Sequence, residues 1–217
     1  MNAVAFFDLD YTLLNASSGL LYIREALRQR RVPLWVVSHT FLNYQLKRFD
    51  FGQAHARLIT YIGRHGQSET AKFFEEWLPR RLFPRLTVAG QAKIEWHKQQ
   101  GHRVVILSAS IEEIVKPVAE YLGLEQDYLC THLAVQNDRY TGALDGPLCY
   151  GPGKVYWAEQ WAIKNKLEFP PTRSYFYTDS SSDLPLLELV THPVPVNPSR
   201  KLTKIATARG WAIERFY

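Results

Sequence analysis

Apolar and polar positions along the chain fall into two regimes. In the first, short, mostly apolar runs end abruptly in a polar group: Ala3 to Phe7 before Asp8, Arg103 to Leu107 before Ser108, and Ser174 to Thr178 before Asp179. Runs of this length suit parallel strands covered on both faces. Between them lie stretches with helical character: Thr87 to Gln100 stopped by Gly101, Ile111 to Leu122 stopped by Gly123, Val155 to Lys164, and Ser199 to Arg209. Tyr128 to Val135 continuing through Arg139 to Gly142 reads as a hairpin, Pro193 to Val196 as a short strand, and Trp211 to Phe216 as a closing strand. Strands alternating with helices predict an α/β fold, a doubly wound parallel sheet.

The second regime occupies residues 17–84, where the pattern is helical, rich in aromatics and without strand alternation. Ser17 or Ser18 suits an N-cap for a first helix, and Pro33 separates it from a second, Leu34 to Phe49. That second segment is so apolar that it reads as a buried helix. Gly52 to Ile62 and Ser68 to Arg81 complete the set, and Pro84 marks the return. The predicted organisation is therefore a core of residues 1–16 and 85–217 interrupted by a helical unit, residues 17–84.

Composition narrows the class. With 217 residues, 46% hydrophobic and 22% charged, the chain has enough material for one core and an insertion. No apolar run reaches the roughly 18 residues of a membrane span, and Asp8 interrupts any signal-like apolar region, so a cytoplasmic location is expected. Cys130 and Cys149 are too few and too far apart for a disulfide framework and read as buried thiols. The net charge of +5 is not gathered into one tract. Its densest cluster, Arg28, Arg30 and Arg31, reads as a solvated helix end, and no nucleic-acid partner is expected.

The chemistry gathers at the polar strand ends. Asp8 and Asp10 are spaced i, i+2 with Thr12 following, and ligands in open α/β sheets bind beyond the carboxyl ends of the strands. Two adjacent carboxylates repel unless a cation separates them. Alone, such a stretch is as well read as an Asp-rich turn or helix cap, Lys154 as a solvated first-turn lysine, and Ser108 as a strand-end cap. The ordered set changes that. Asp8-x-Asp10-x-Thr12, then an apolar strand with Ser108, then Lys154, then Asp179-x-x-x-Asp183 resembles the four motifs of the haloacid dehalogenase-like phosphohydrolases over nearly the entire chain. The insertion directly after the first motif, and the ending Asn197-Pro198-Ser199-Arg200-Lys201-Leu202, look most like the phosphoserine-phosphatase-like branch, subfamily IB.

That resemblance implies a Rossmann-like core with a helical cap, and a Mg²⁺-dependent phosphatase for a small phosphomonoester. Asp8 would be the nucleophile that becomes an aspartyl-phosphate, and Asp10 the general acid and then base. Ser108, the amide of Ala109 and Lys154 would bind phosphate. Asp8, Asp179, the Asp10 carbonyl, and Asp183 directly or through water would hold the metal. A carboxylate can attack phosphorus once the cation and Lys154 neutralise the phosphoryl group, and a protonated Asp10 spares the leaving alkoxide its charge.

The recognition residues depart from that branch. Phosphoserine phosphatases carry a glutamate nine residues after the nucleophile for the substrate ammonium, whereas Ser17 stands here. Ser108-Ala109-Ser110 replaces Ser-Gly-Gly, and Thr178-Asp179-Ser180-Ser181-Ser182-Asp183 replaces Gly-Asp-Gly-x-Asn-Asp. Substrate choice then falls to the insertion, where Tyr22, Trp35, Phe41, Tyr44, Phe49 and Phe51 at helical spacing read mostly as its core, and Arg24, Arg48 and Arg57 as candidate contacts for an anion. Transfer to an acceptor other than water, or a phosphate-binding module without catalysis, remains open on the same residues, as does the oligomeric state.

Overall fold

The computed structural model describes residues 3–49, 51–62 and 66–217. Its strands are β1 (Val4–Phe7), β2 (Arg103–Ile111), β3 (Tyr128–Thr131), β4 (Leu133–Gln136), β5 (Arg139–Leu144), β6 (Ser174–Thr178) and β7 (His192–Pro195). Its helices are α1 (Ser18–Arg28), α2 (Leu34–Gln45), α3 (Phe51–Ile62), α4 (Gln67–Arg81), α5 (Val88–Gln99), α6 (Glu112–Tyr121), α7 (Pro152–Lys164), α8 (Leu184–Leu187) and α9 (Arg200–Arg209). Five strands form one parallel sheet in the order β3-β2-β1-β6-β7, the expected doubly wound α/β architecture.

Alternation along β1 shows why both faces are covered. Ala5 and Phe7 pack with Ile94 of α5 and Ile114, Val115 and Val118 of α6. Val4 and Phe6 point the other way, into a second core with Ala158, Trp161 and Ala162 of α7, Leu186 of α8 and Leu202 of α9. The chain proceeds outward from β1 in one direction through β2 and β3, and in the other through β6 and β7. The carboxyl end of β1 therefore lies at the switch point, where a crevice opens.

The helical unit is a closed excursion. Leu14 and Leu86 form an antiparallel bridge where the chain leaves and returns, flanked by Asn15 N–H to Arg85 O at 2.9 Å and Thr87 N–H to Leu13 O at 2.8 Å. Ser17 caps α1, accepting from the Leu20 amide at 3.3 Å. Tyr22, Phe73, Phe74 and Trp77 form its aromatic core. The β4–β5 hairpin turns at Asn137 and Asp138, both at positive φ, and Asp138 accepts from the Ser68 amide and hydroxyl at the start of α4.

Three sequence expectations are corrected. Trp211 to Phe216 is not a strand; a single bridge joins Glu214 to Val196. The Val196 amide points inward, to Thr178 O, so the alternate positions Pro193 and Pro195 face the free edge of β7 and have no N–H to offer another strand. Secondly, α2 is not a buried helix. Its buried stripe is Val36, Thr40 and Asn43, narrow and half polar, while Leu34, Trp35, Phe41, Leu42 and Tyr44 are exposed. Of the aromatics expected in the core of the insertion, Tyr22 is buried, Phe49 is half-buried, Trp35 and Phe41 are about 60% exposed, and the Phe51 side chain lies outside the described residues. Thirdly, the Arg28–Arg31 cluster is not only a solvated end: Arg28 pairs with Glu25, and Arg31 reaches Glu69 at 3.2 Å and lies over the Phe73 ring. Cys130 and Cys149 are buried free thiols, as expected. No helix among the described residues is long and apolar enough to cross a membrane.

Candidate active site

The first motif leaves β1 without a break. The Asp8 amide continues the ladder, donating to Tyr177 O at 2.9 Å, and Leu9–Leu13 then form a wide turn in which Tyr11 takes a φ of 55°. This turn sets Asp8 and Asp10 in different surroundings. Asp8 is buried with Oδ1 accepting from Lys154 Nζ at 2.7 Å, while Oδ2 has only a long contact with Thr12 Oγ1 at 3.5 Å. Asp10 is held by neutral donors: the Ser17 hydroxyl to Oδ2 at 3.1 Å and the Ser18 amide to Oδ1 at 3.0 Å. Burial pushes the Asp10 carboxyl above the usual carboxylate range, opposed by those donors.

Lys154 sits in the first turn of α7, and only 2% of it is exposed. Its position depends on two glycines. Gly151 takes a φ of 53°, and a Cβ on Gly153 would lie 1.9 Å from Leu148 O. From there Nζ bridges two carboxylates, Asp8 Oδ1 and Asp183 Oδ2, each at 2.7 Å. Burial alone would lower its pKa, but Asp183 and Asp8 together outweigh it and hold the ammonium protonated. Burial likewise raises Asp8, against the pull of Lys154.

The remaining members come from the ends of β2 and β6. Ser108 is buried and its Oγ accepts from the Ser110 amide at 3.1 Å, which leaves its own proton free to donate. Ala109 is its neighbour, and its carbonyl is fixed by Thr131 Oγ1 at 2.8 Å. Asp183 is buried and spoken for: Lys154 and Thr178 Oγ1 donate to Oδ2, and Ser182 Oγ donates to Oδ1. Asp179 forms no ion pair among the described residues. Burial pushes it up to about 7, Asp183 adding to the rise and Lys154 opposing it.

The structure thus brings Asp8, Asp10, Ser108, Ala109, Lys154, Asp179 and Asp183 to one edge of the sheet. It also adds residues that motif reading passed over as parts of the site. Thr12 accepts from the Asp179 amide at 3.1 Å and so ties the first loop to the last. Thr178 fixes Asp183, and Ser18 joins Ser110 at 2.7 Å, linking α1 to the end of β2. Ser17, conspicuous in sequence for lacking a charge, holds Asp10. The hydroxyl four residues after Asp8 was the one signal that pointed to Thr12.

The donor set suits a hard cation. Three carboxylates, Asp8, Asp179 and Asp183, interact across the site with a single ammonium to balance them, and all the donors are oxygens. Among the described residues no three carboxylate, imidazole or thiol side chains close on one point. Of the hard cations, Mg²⁺ is the one that keeps several waters and takes one or two carboxylates together with substrate phosphate oxygens.

Known proteins resemble the chain over most of its length. A 29% identical relative from Neisseria meningitidis serogroup C, a histidinol-phosphatase, matches over all of both chains. A probable phosphatase from Mycobacterium tuberculosis is 33% identical over 98% of this chain and 75% of its own. Among solved structures, a Bordetella pertussis protein of unknown function superposes with a TM-score of 0.93 at 30% identity over all of both chains. A phosphoserine phosphatase caught as a phospho-aspartyl intermediate analogue shares the fold, at a TM-score of 0.69 and 18% identity over all of this chain and 94% of its own. The family model of the haloacid dehalogenase-like hydrolases matches residues 5–188, from within β1 through α8, and the chain belongs to that family of hydrolases.

Proposed function

We propose that the protein is a Mg²⁺-dependent phosphatase of the phosphoserine-phosphatase-like branch, subfamily IB, hydrolysing a small phosphomonoester through an aspartyl-phosphate on Asp8. The observation that carries this reading is the split between the two carboxylates of one turn: Asp8 faces the Lys154 ammonium, and Asp10 is buried among neutral donors. Environments that separate two carboxylates also separate their roles. An Asp8 oxygen attacks phosphorus as the bond to the leaving alcohol oxygen breaks, and Asp10 delivers its proton to that oxygen. Asp10 then takes a proton from water as the water oxygen displaces phosphate from Asp8.

Ser108 and the Ala109 amide hold the phosphate oxygens, and Lys154 offsets their charge. Asp8, Asp179 and the Asp10 carbonyl would hold the metal, which would supply charge neutralisation at phosphorus. Asp183 positions Lys154, and with Thr178 and Ser182 also on its oxygens it would stand behind the metal ligands. Residues 17–84 act as a cap domain over a core of residues 1–16 and 85–217. A cytoplasmic setting suits the two unpaired thiols. Phosphoserine is disfavoured because Ser17 offers no charge, and histidinol phosphate, named by the full-length relative, is the first natural ester to test.

Hydrolysis of p-nitrophenyl phosphate tests the reading. Turnover is expected with Mg²⁺, lost in EDTA, restored by added Mg²⁺, and absent in Asp8→Asn protein, with one inorganic phosphate released per ester cleaved. Undiminished turnover by Asp8→Asn would overturn the mechanism, and phosphate recovered on an added alcohol instead of in water would assign a phosphotransferase.

A further inference from the structure

Residues 26–49 contain no aspartate or glutamate, yet they hold Arg28, Arg30, Arg31, Lys47 and Arg48. These five leave 21 of the chain's 26 lysines and arginines to balance its 21 aspartates and glutamates, so this one segment carries the whole net charge of +5 without forming a continuous basic tract. Its cations stand at the two ends of α2. Arg28 and Arg31, before the helix, are engaged by Glu25 and Glu69. Arg30 before it, and Lys47 and Arg48 after it, are exposed and form no ion pair among the described residues.

Between those ends α2 turns an apolar face to solvent. Leu34, Trp35, Phe41, Leu42, Tyr44 and Leu46 are between 44% and 69% exposed, while Val36, Thr40 and Asn43 are the positions it buries. Leu34, Phe41 and Leu42 fall at i, i+7 and i+8, on the side of the helix opposite that buried stripe, and Trp35 and Tyr44 flank them. Single exposed leucines are ordinary, but six large apolar side chains left open on one short helix are not. With 12 residues α2 is about 18 Å long, against roughly 30 Å of hydrocarbon in a bilayer, so it can lie in a membrane interface but not cross it. Phe41 and Tyr44 also border a cavity of about 400 Å³ beside Asp10, between α1, α2 and α3, so the helix with the open face is also a wall of the site.

We propose that α2 docks the protein on the surface of an anionic lipid membrane. Leu34, Phe41 and Leu42 sink below the headgroups, Trp35 and Tyr44 lie at headgroup level, and Arg30, Lys47 and Arg48 meet the lipid phosphates. Charge decides against a second copy of the chain as the occupant. Both ends of α2 are basic, so packing two such helices in either direction sets like charges against each other, whereas an anionic surface meets every cation at once. The docking does not depend on the phosphatase reading, because none of these side chains takes part in the proposed chemistry.

Co-sedimentation of the full chain with vesicles of equal parts phosphatidylglycerol and phosphatidylcholine, and with vesicles of phosphatidylcholine alone, tests the proposal. The wild type is expected to bind the anionic vesicles, to bind the neutral ones at least about 10-fold more weakly, and to be released as ionic strength rises. Replacing Arg30, Lys47 and Arg48 together by serine should weaken binding by about 100-fold, at roughly 5-fold per cation. Leu34→Ser with Leu42→Ser should weaken it by about 10-fold or more. All five residues are exposed, so both variants should keep the wild-type melting temperature. Should either melt early, the lipid and salt dependence of the wild type decides. Failure of the wild type to bind anionic vesicles, equal binding to neutral ones, or binding undiminished in either folded variant would overturn the proposal. A wild type that is dimeric without vesicles and becomes monomeric with Leu34→Ser and Leu42→Ser would assign the face to a second copy, and the membrane proposal would fall.

Discussion

Replacing Lys154 by methionine removes the only ammonium that, among the described residues, the buried carboxylates Asp8 and Asp183 touch, while keeping most of the side chain's volume. At 2.7 Å and an effective dielectric of about 20, each contact is worth roughly 6 kcal/mol gross. Taking the lysine and the carboxylates out of water costs several kcal/mol per ion, so most of that sum cancels. What the substitution exposes is the stranded partner, and breaking such a buried pair destabilises by about 3–5 kcal/mol. Against a total stability of about 5–15 kcal/mol, the Lys154→Met protein should fold at neutral pH with a much lower urea midpoint. The deficit has a pH signature. Burial raises Asp8 above its unfolded value, and without Lys154 the rise is larger. Beside Lys154 it already reaches about 8, so below that pH both folded proteins bind a proton that the unfolded chain does not, and the variant's deficit narrows as pH falls toward about 8 from the alkaline side and stays level below it. Urea unfolding of both proteins in EDTA, at pH 9 and pH 7.5, reads this directly. Adding Asp183→Asn to the variant should return part of the loss. A Lys154→Met protein with the wild-type midpoint at pH 7.5, or one whose deficit grows on acidification, would refute the claim that Lys154 is the counter-charge.

Asp10→Asn should lower kcat by about 10²–10⁴-fold on alkyl phosphates, the usual scale for a general acid, and by clearly less in the first half-reaction on p-nitrophenyl phosphate, whose leaving group needs no proton; burst kinetics separates the steps. A separate pH effect comes from His97, wholly buried between His102 Nδ1 at 2.8 Å and the Tyr177 hydroxyl at 2.9 Å. Burial pushes its pKa down to about 3, with His102 and Lys93 adding to the fall, so between pH 6.5 and 3 the unfolded chain binds a proton that the folded one refuses. Stability should therefore fall by about 2 kcal/mol from pH 7 to pH 5 on this account, and His97→Gln should flatten that part of the urea-midpoint profile.

The three central strands were legible because parallel strands leave a plain signature: β6 occupies the expected Ser174–Thr178, and β1 ends where Asp8 begins. The Ser17 cap and the order of the site residues were equally readable, since both depend on local spacing. What escaped depends on tertiary placement. The Trp211–Phe216 pattern is strand-like, but whether it pairs is decided by the prolines on the outward side of β7. In α2, mean apolarity suggested burial, whereas burial follows the narrow stripe Val36, Thr40 and Asn43. The double role of Lys154 between Asp8 and Asp183 was likewise hidden, because no spacing of 29 or 146 residues along a chain announces a contact.

Ser17 suggests how a site of the proposed kind would keep its reaction and change its substrate. At position 17 a hydroxyl replaces the glutamate that phosphoserine phosphatases use, and here it holds Asp10 by a 3.1 Å hydrogen bond. The side chain that would read a substrate charge has become part of the acid's support. A site that gives up a charged contact must recover its selectivity from shape and neutral hydrogen bonds. The cavity beside Asp10 offers an apolar wall from α1, α2 and α3. In the proposed reading the reacting groups stand on the sheet edge and are joined to the inserted helices through Ser17 and Ser18, which contact Asp10 and Ser110. Because those serines lie at or beside the start of α1, a shift of that helix on substrate binding would be transmitted first to Asp10, the carboxyl proposed to protonate the leaving group.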